Sequence, residues 1–189
     1  YFGGSSLDFK HKTSLDLINH RGPDFKHEII GETYYLGHTR LSILDLSNNG
    51  NQPMISKDGK FGIIFNGEIY NHLDLREREL KSIDFTSTSD TETLLYGLIE
   101  IGVDFINKLN GIFAFSFYNF ETKEFIIVRD QFGVKPLYYH LNENEICFSS
   151  ESKAVMSYLP QVTVNESAQK NYLNFLWSPG ELTPVHEIK

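Results

Sequence analysis

The residues with the clearest chemical potential lie in the stretch FGIIFNGEIYN, residues 61–71. An apolar run there leads directly into Asn66, Gly67 and Glu68. If the chain turns from strand to helix at this point, the Asn66 amide and the Gly67 N–H can point together and form an oxyanion hole. Glycine suits that role because no side chain shields its N–H. An Asn-Gly pair between apolar runs is also a strong hairpin signal, and this stretch alone leaves both interpretations open.

Two further charged residues, Arg40 and Asp90, each have an ordinary and a functional interpretation. Arg40 lies in the apolar stretch GHTRLSI (37–43), and a partly buried arginine usually holds an anion such as a carboxylate. The ordinary alternative is an arginine at a surface edge. Asp90 lies in the first turn of a predicted helix, and its ordinary interpretation is that its negative charge stabilises the helix by interacting with the helix dipole. The functional alternative is that Asp90 and Glu68 together bind an ammonium group.

The elements that must position these residues begin with strands. Segments rich in Ile, Tyr, Thr and Leu predict two strands, over 28–36 and 38–44, on either side of Gly37. A further strand is predicted over 61–65, and a polar surface helix over 72–82. Arg40 therefore lies in one predicted strand, and the Asn-Gly pair directly follows another that is distant in sequence.

The second half of the chain continues with a well-marked helix. The tetrapeptide SDTE (89–92) fits a capping box, and Leu94, Leu95, Leu98 and Ile99 share one face of the helix that it starts. The later predicted elements are a short helix over 103–109, the strand segments GIFAFSFY, EFIIVRD, PLYYHL and EICFSS, and helices over 152–158 and 165–176. The first two of these strand segments are apolar almost throughout, which indicates that both of their faces are covered. Because strands and helices come in runs, the sequence predicts one α+β domain with two packed sheets and helices outside.

Composition excludes several classes of function. The 189 residues carry a net charge of −8 and no Lys/Arg stripe, which argues against nucleic-acid binding. No apolar run approaches the roughly 18 residues that a membrane-spanning helix needs. A single cysteine, Cys147, excludes an internal disulfide framework and indicates the cytoplasm, and we expect it to be a buried structural thiol. The seven histidines show no metal-ligand spacing, so no metal site is expected.

The order and spacing of eight sequence blocks closely resemble the glutaminase domain of glutamine-dependent asparagine synthetases. These are class II glutamine amidotransferases of the N-terminal-nucleophile (Ntn) hydrolase family. The blocks are RGPD (21–24), GHTRLSILDLS (37–47), NQPM (51–54), FNGEIYNHLDLR (65–76), SDTE (89–92), LNGIFAFSFYN (109–119), RDQFGVKPLYY (129–139) and FSSESKA (148–154). The resemblance covers nearly the whole chain, and it implies a four-layer αββα sandwich of two antiparallel sheets between helices.

The resemblance also implies an activity. A domain of this type hydrolyses glutamine to glutamate and ammonia and passes the ammonia to an ATP-dependent amide-forming domain. Two alternatives remain at this point. One is a non-catalytic glutamine-binding or regulatory domain, and the other is an amidotransferase of surface-polysaccharide synthesis.

Carried over residue by residue, the resemblance first implies a pocket for the glutamine α-carboxylate. Arg40 would hold this carboxylate, and the backbones of Leu41 and Ile43 would line the pocket around it. A free amino acid needs a cation for its carboxylate and anions for its ammonium group. The resemblance therefore selects the same arginine as the reasoning from residue chemistry.

The resemblance assigns the remaining site residues to the two other ends of glutamine. Asn66 and Gly67 would form the oxyanion hole at the side-chain amide. Glu68 and Asp90 would bind the α-ammonium group. No cofactor is implied for this domain.

The family's nucleophile is a cysteine at the mature N-terminus, whose own α-amino group can act as the base. The segment from Tyr1 to Gly4 resembles the residues just after that cysteine, and Cys147 lies too deep in the sequence to replace it. We therefore expect a cysteine upstream of Tyr1, a domain over residues 1–189 that is truncated at both ends, and no activity from these residues alone. The expected partners are glutamine and an absent C-terminal synthetase domain that would use ATP and Mg²⁺, with a homodimer left open.

Overall fold

The computed structural model of the protein describes residues 1–5, 11–41, 48–176, 180 and 182–189. Two antiparallel sheets, with strand orders β2-β3-β1-β9-β8 and β4-β5-β6-β7, confirm the predicted α+β fold. The strands are β1 (Phe2–Ser5), β2 (Phe25–Ile30), β3 (Tyr34–Arg40), β4 (Met54–Ile55), β5 (Phe61–Ile69), β6 (Gly111–Asn119), β7 (Glu124–Arg129), β8 (Tyr138–Leu141) and β9 (Ile146–Ser149). The α-helices are α1 (His11–Asp16), α2 (His72–Glu79), α3 (Asp90–Glu100), α4 (Ser152–Tyr158) and α5 (Glu166–Phe175), with 3-10 segments at Asn19–Arg21, Asn48–Gly50 and Gly102–Lys108. Across these described ranges, the helices are all too short or too polar to cross a membrane.

The two sheets pack face to face around a central apolar cluster. This cluster joins Leu36 of β3 and Phe148 of β9 in the first sheet to Ile64 of β5 and to Ala114 and Tyr118 of β6 in the second. All of these side chains are buried. The interface between the sheets is therefore a continuous layer of core.

Helices cover the outer faces of both sheets, which completes four layers. On the second sheet, Ile63 of β5 and Phe115 of β6 pack in one cluster with Leu94, Leu95 and Leu98 of α3. Because side chains alternate along a strand, Ile63 faces the helix while its neighbour in the strand faces the other sheet. On the first sheet, a third cluster contains residues of α1 and α4.

The predicted strand break at Gly37 is wrong. Gly37 lies in the middle of β3, opposite Phe2 of β1 and Glu28 of β2, and the chain instead reverses between Ile30 and Tyr34. A Cβ at Gly37 would lie 2.7 Å from the Tyr35 hydroxyl oxygen, so this glycine permits close packing and does not form a turn. Residues 42–44 of the predicted strand lie outside the described residues.

The hairpin interpretation of Asn66-Gly67 is also wrong. Strand β5 runs straight through both residues, and its pairing with β6 is continuous from Phe61 to Ile69. The chain enters α2 only at His72, so the strand-to-helix interpretation is confirmed, with its turn several residues later than predicted. The long pairing with β6 explains the difference, because a partner strand can extend a strand past a sequence that favours a turn in isolation.

Candidate active site

An open cavity of about 270 Å³ lies where the end of β3, the middle of β5 and the start of α3 meet. Its lining includes Arg40 and Leu41 from the end of β3, Asn66 and Gly67 from β5, and Asp90 from α3. The structure therefore brings five of the seven predicted site residues to one place, although they come from segments far apart in sequence.

The other two predicted residues, Glu68 and Ile43, are not among the described residues that line the cavity. Glu68 is exposed on β5 and does not line the cavity, but its side chain lies on the same side of the strand as that of Asn66. Its negative charge contributes, after burial, to the raised pKa of the Asp90 carboxyl group. Glu68 therefore lies near the cavity rim. Ile43 lies outside the described residues.

Arg40 is buried, with only 8% of its surface exposed. Its strand β3 lies between β2 and β1, so the alternative of a surface edge is wrong. Arg40 Nη1 donates a 2.6 Å hydrogen bond to Asn51 Oδ1. Because Asn51 is neutral, this bond orients the guanidinium group beside the cavity without adding a counter-charge.

The Asn66 side chain presents a hydrogen-bond donor at the cavity. Its Nδ2 atom is buried and has no hydrogen-bond partner among the described residues. Buried donors are nearly always paired in proteins, so an unpaired amide at a cavity points to a ligand acceptor.

Alternate N–H groups of β5 supply a second donor beside it. The N–H of Phe65 donates to Gln52 Oε1 at 2.6 Å, and the N–H of Ile69 donates to Asp90 Oδ2 at 2.9 Å. Since N–H groups two residues apart point to the same edge of a strand, the Gly67 N–H points between these two side chains. A Cβ at Gly67 would lie 2.2 Å from the carbonyl oxygen of Ile112, so only glycine fits here.

Asp90 carries its carboxylate at an electrostatic cost. Only 4% of its surface is exposed, and burial raises the pKa of its carboxyl group, although the Ile69 N–H opposes this effect. The helix cap itself comes from Ser89, whose Oγ accepts the N–H of Thr91 at 3.1 Å. The capping interpretation therefore does not need the Asp90 charge, and a buried carboxylate with a raised pKa at a cavity is a candidate for binding a cation.

Sequence reasoning assigned no role to Gln52, which the structure places at the centre of the site. Gln52 is buried, and besides accepting the Phe65 N–H it donates from Nε2 to Thr91 Oγ1 at 3.2 Å. It thereby ties β5, one residue before Asn66, to α3, one residue after Asp90. The available signal was its position in the NQPM block, within a loop between strands.

The predicted capping box is only half formed. The Glu92 carboxylate accepts hydrogen bonds from the N–H groups and hydroxyls of Thr86 and Ser87 instead of from the N–H of Ser89. Burial alone would raise the pKa of Glu92, but these hydrogen bonds outweigh it and lower the pKa. Arg76 of α2 donates to the carbonyl oxygens of Ser87 and Ser89 at 2.8 and 2.7 Å. The loop before α3 is therefore fixed from both sides.

Two further residues bear on the chemistry of the cavity. His38 lines it and is neutral, because burial lowers its pKa to about 3. Its Nε2 lies 3.2 Å from the carbonyl oxygen of Phe65, to which it donates as the neutral tautomer. Cys147 is buried in β9 and does not line the cavity, and burial raises the pKa of its thiol well above the ordinary value. The prediction of a structural thiol is thus in agreement with its position.

Comparison with known proteins places this geometry in a family. The chain is 39% identical over 179 residues to asparagine synthetase [glutamine-hydrolyzing] 1 of Bacillus subtilis, which covers 94% of this chain and 28% of the relative. It is 38% identical over 145 residues to amidase chyE of Penicillium rubens, which covers 77% of this chain and 22% of the relative. The chain therefore spans about a quarter of the length of these curated relatives.

The fold has relatives among solved structures. Glutamine phosphoribosylpyrophosphate (PRPP) amidotransferase from B. subtilis superposes with a TM-score of 0.70 at 19% sequence identity, over 87% of this chain and 45% of that one. This likeness supports the Ntn-type sandwich. Residues 4–189 match the glutamine amidotransferase domain family, to which the chain therefore belongs.

Proposed function

We propose that this chain is the glutaminase domain of a longer protein, in which it hydrolyses glutamine and passes the ammonia to an amide-forming domain. One observation carries the proposal. A single cavity is lined by the buried guanidinium of Arg40, the buried carboxylate of Asp90 and the unpaired amide donor of Asn66. These three groups complement the α-carboxylate, the α-ammonium and the side-chain carbonyl of glutamine.

Each end of glutamine has its own residues. Arg40 binds the α-carboxylate in a fork geometry, beside the backbone of Leu41. Asp90 binds the α-ammonium group from within the cavity, and Glu68 approaches it from the rim. Asn66 Nδ2 and the Gly67 N–H donate to the oxygen that becomes negative when the amide is attacked, which is where donors accelerate the reaction most. Ile43, beyond the described residues, completes the carboxylate pocket in this proposal.

Hydrolysis also needs a nucleophile, and Cys147 is unsuitable because it is buried away from the cavity with a raised thiol pKa. We assign the role to a cysteine that precedes Tyr1 in the complete protein. The pairing of Phe2 with Gly37 supports this assignment, because β1 runs antiparallel to β3 with its first residues toward Arg40. A segment that reaches β1 from the N-terminal side therefore approaches the cavity wall. The 189 residues alone bind glutamine without hydrolysing it.

The ammonia acceptor belongs to a second domain. Relatives of about four times the aligned length are named as glutamine-hydrolysing asparagine synthetases, which supports an amide-forming domain that uses ATP and Mg²⁺. The glutaminase domain itself requires no cofactor in this proposal, because a thiol, a base and an oxyanion hole suffice for amide hydrolysis.

The test is ammonia release from glutamine by the complete gene product. We expect turnover that is abolished by alkylating the cysteine before Tyr1. The substitution Asn66→Ala should lower kcat about 10²- to 10³-fold, which is typical for the loss of one oxyanion-hole donor. Asn144→Ala, at an exposed turn outside the cavity, is the matched control and should leave kcat unchanged.

Two results would contradict the proposal in different ways. Unchanged turnover in Asn66→Ala would show that the Asn66 side chain on β5 does not stabilise the oxyanion. Glutamine binding without any turnover in the complete protein would instead identify a non-catalytic glutamine-binding domain, the main alternative.

A further inference from the structure

Among the described residues that line the cavity, cationic side chains outnumber carboxylates. Among the described residues that line it, the cationic side chains are Arg21, Arg40 and Lys135. The one carboxylate in that set is Asp90, and His38 is neutral because of its lowered pKa. If the proposed function is accepted, Arg40 and Asp90 match the two α-groups of glutamine. Two cations then remain to be explained.

Arg21 already has a carboxylate partner. Its Nη1 lies 3.3 Å from Glu151 Oε1, and the same carboxylate contacts His20 Nε2 at 2.8 Å and Lys153 Nζ at 3.0 Å. In the described part of the chain, Lys135 has no such ion-pair partner. Lys135 is therefore, among the described lining residues, the cation that remains to be explained.

The backbone of Lys135 is held rigidly by the two preceding charged residues. Asp130 is buried, and its carboxylate accepts the N–H groups of Phe132, Val134 and Lys135 at 3.0 to 3.2 Å. Arg129 donates from Nε to the carbonyl oxygen of Lys135 at 2.8 Å. Both backbone polar groups of Lys135 are thus fixed by side chains, so the point from which its side chain extends is ordered at the cavity wall.

The position of this loop directs Lys135 to one end of the cavity. Asp130 Oδ2, which accepts the Lys135 N–H, also accepts the N–H of Phe113 at 3.2 Å. Phe113 lies directly opposite Gly67 in the β5–β6 pairing. Lys135, which lines the cavity, therefore approaches it across β6 and level with Gly67, where the glutamine amide is expected.

We propose that Lys135 forms an anion subsite at the amide end of the cavity, which favours a ligand with a second carboxylate. The ligand class is an acidic α-amino acid with the chain length of glutamine, and glutamate, the product of hydrolysis, fits it. The neutral amide of glutamine gains little from the Lys135 charge, whereas the γ-carboxylate of glutamate forms a charge-assisted contact. The subsite makes glutamate a competing ligand of the glutaminase.

The experiment measures the binding of L-glutamate and L-glutamine to the 189-residue chain by isothermal titration calorimetry at low salt. Lys135→Met removes the charge and keeps most of the side-chain length. We expect it to weaken glutamate binding about two- to fivefold, the size of a partly exposed ion pair, and to leave glutamine binding nearly unchanged. Lys135→Arg should retain the wild-type ratio of the two dissociation constants.

The matched control is Lys170→Met, which removes an exposed lysine of α5 outside the cavity. It should change neither dissociation constant. A measurement on the wild type needs no variant: raising the salt concentration should weaken glutamate binding more than glutamine binding.

Each failure has its own signature. If Lys135→Met leaves the glutamate-to-glutamine ratio unchanged, or if both ligands respond equally, the anion subsite is refuted while the glutamine site stands. If the wild type binds neither amino acid, the proposed function fails and the subsite fails with it.

Discussion

Replacing Asp90 with asparagine separates a functional carboxylate from a purely structural one. The Asp90 side chain is 4% exposed, and its Oδ2 accepts the Ile69 N–H at 2.9 Å. Asparagine keeps a carbonyl oxygen that can accept the same N–H, so the variant removes mainly the charge. A charge-assisted hydrogen bond typically contributes about 1.5–3 kcal/mol. We therefore expect Asp90→Asn to weaken glutamine binding about 10- to 150-fold.

The free energy of unfolding should respond differently. Burial raises the pKa of the Asp90 carboxyl group in the folded state, so its charged form destabilises the fold at pH values above that raised pKa. Removing the charge relieves this cost, while the loss of a favourable charge at the start of α3 costs about 0.3–1 kcal/mol. These effects oppose each other, and we expect the stability at pH 7 to change by less than about 1 kcal/mol.

The assay pairs urea denaturation with calorimetric titration of glutamine, and Asp104→Asn serves as an exposed control with the same charge change. The pH dependence gives a further check. Wild-type affinity for glutamine should fall as the pH drops through the raised pKa of Asp90, because protonation removes the partner of the ammonium group. Asp90→Asn should lack this dependence.

An Asp90→Asn variant that loses more than about 2 kcal/mol of stability but still binds glutamine like the wild type would refute the reasoning, since Asp90 would then only join β5 to α3.

Two further substitutions test how the site is held in place. Gln52→Ala leaves the buried N–H of Phe65 without its acceptor and should lower the free energy of unfolding by about 1–3 kcal/mol in urea denaturation. No measurable loss would mean that water or another protein group accepts this N–H in place of the Gln52 side chain. Arg76→Met removes three hydrogen bonds and leaves Glu92 buried without its cation at 3.8 Å, so the melting temperature should fall by an amount equivalent to about 3 kcal/mol. A loss below about 1 kcal/mol would show that the loop before α3 is held without Arg76.

The local sequence pattern predicted the structure correctly where interactions within one segment determine it. The apolar face of α3 and the Ser89 cap follow from residue spacing alone, and the structure confirms both. The same pattern failed where pairing with a neighbouring strand determines the conformation. Gly37 and Asn66-Gly67 look like turns in isolation, yet both lie inside strands because neighbouring strands pair along their whole length.

The sequence by itself determined which chemical groups this protein can offer. The order and spacing of its blocks were sufficient for the family resemblance, and the choice of Arg40, Asn66 and Asp90 followed from the chemistry of their side chains. Only the tertiary structure decided that these groups share one cavity, since β3, β5 and α3 meet through long-range packing. It also revealed the hydrogen bonds by which Gln52 joins β5 to α3, because a hydrogen bond between distant segments leaves no local pattern in the sequence.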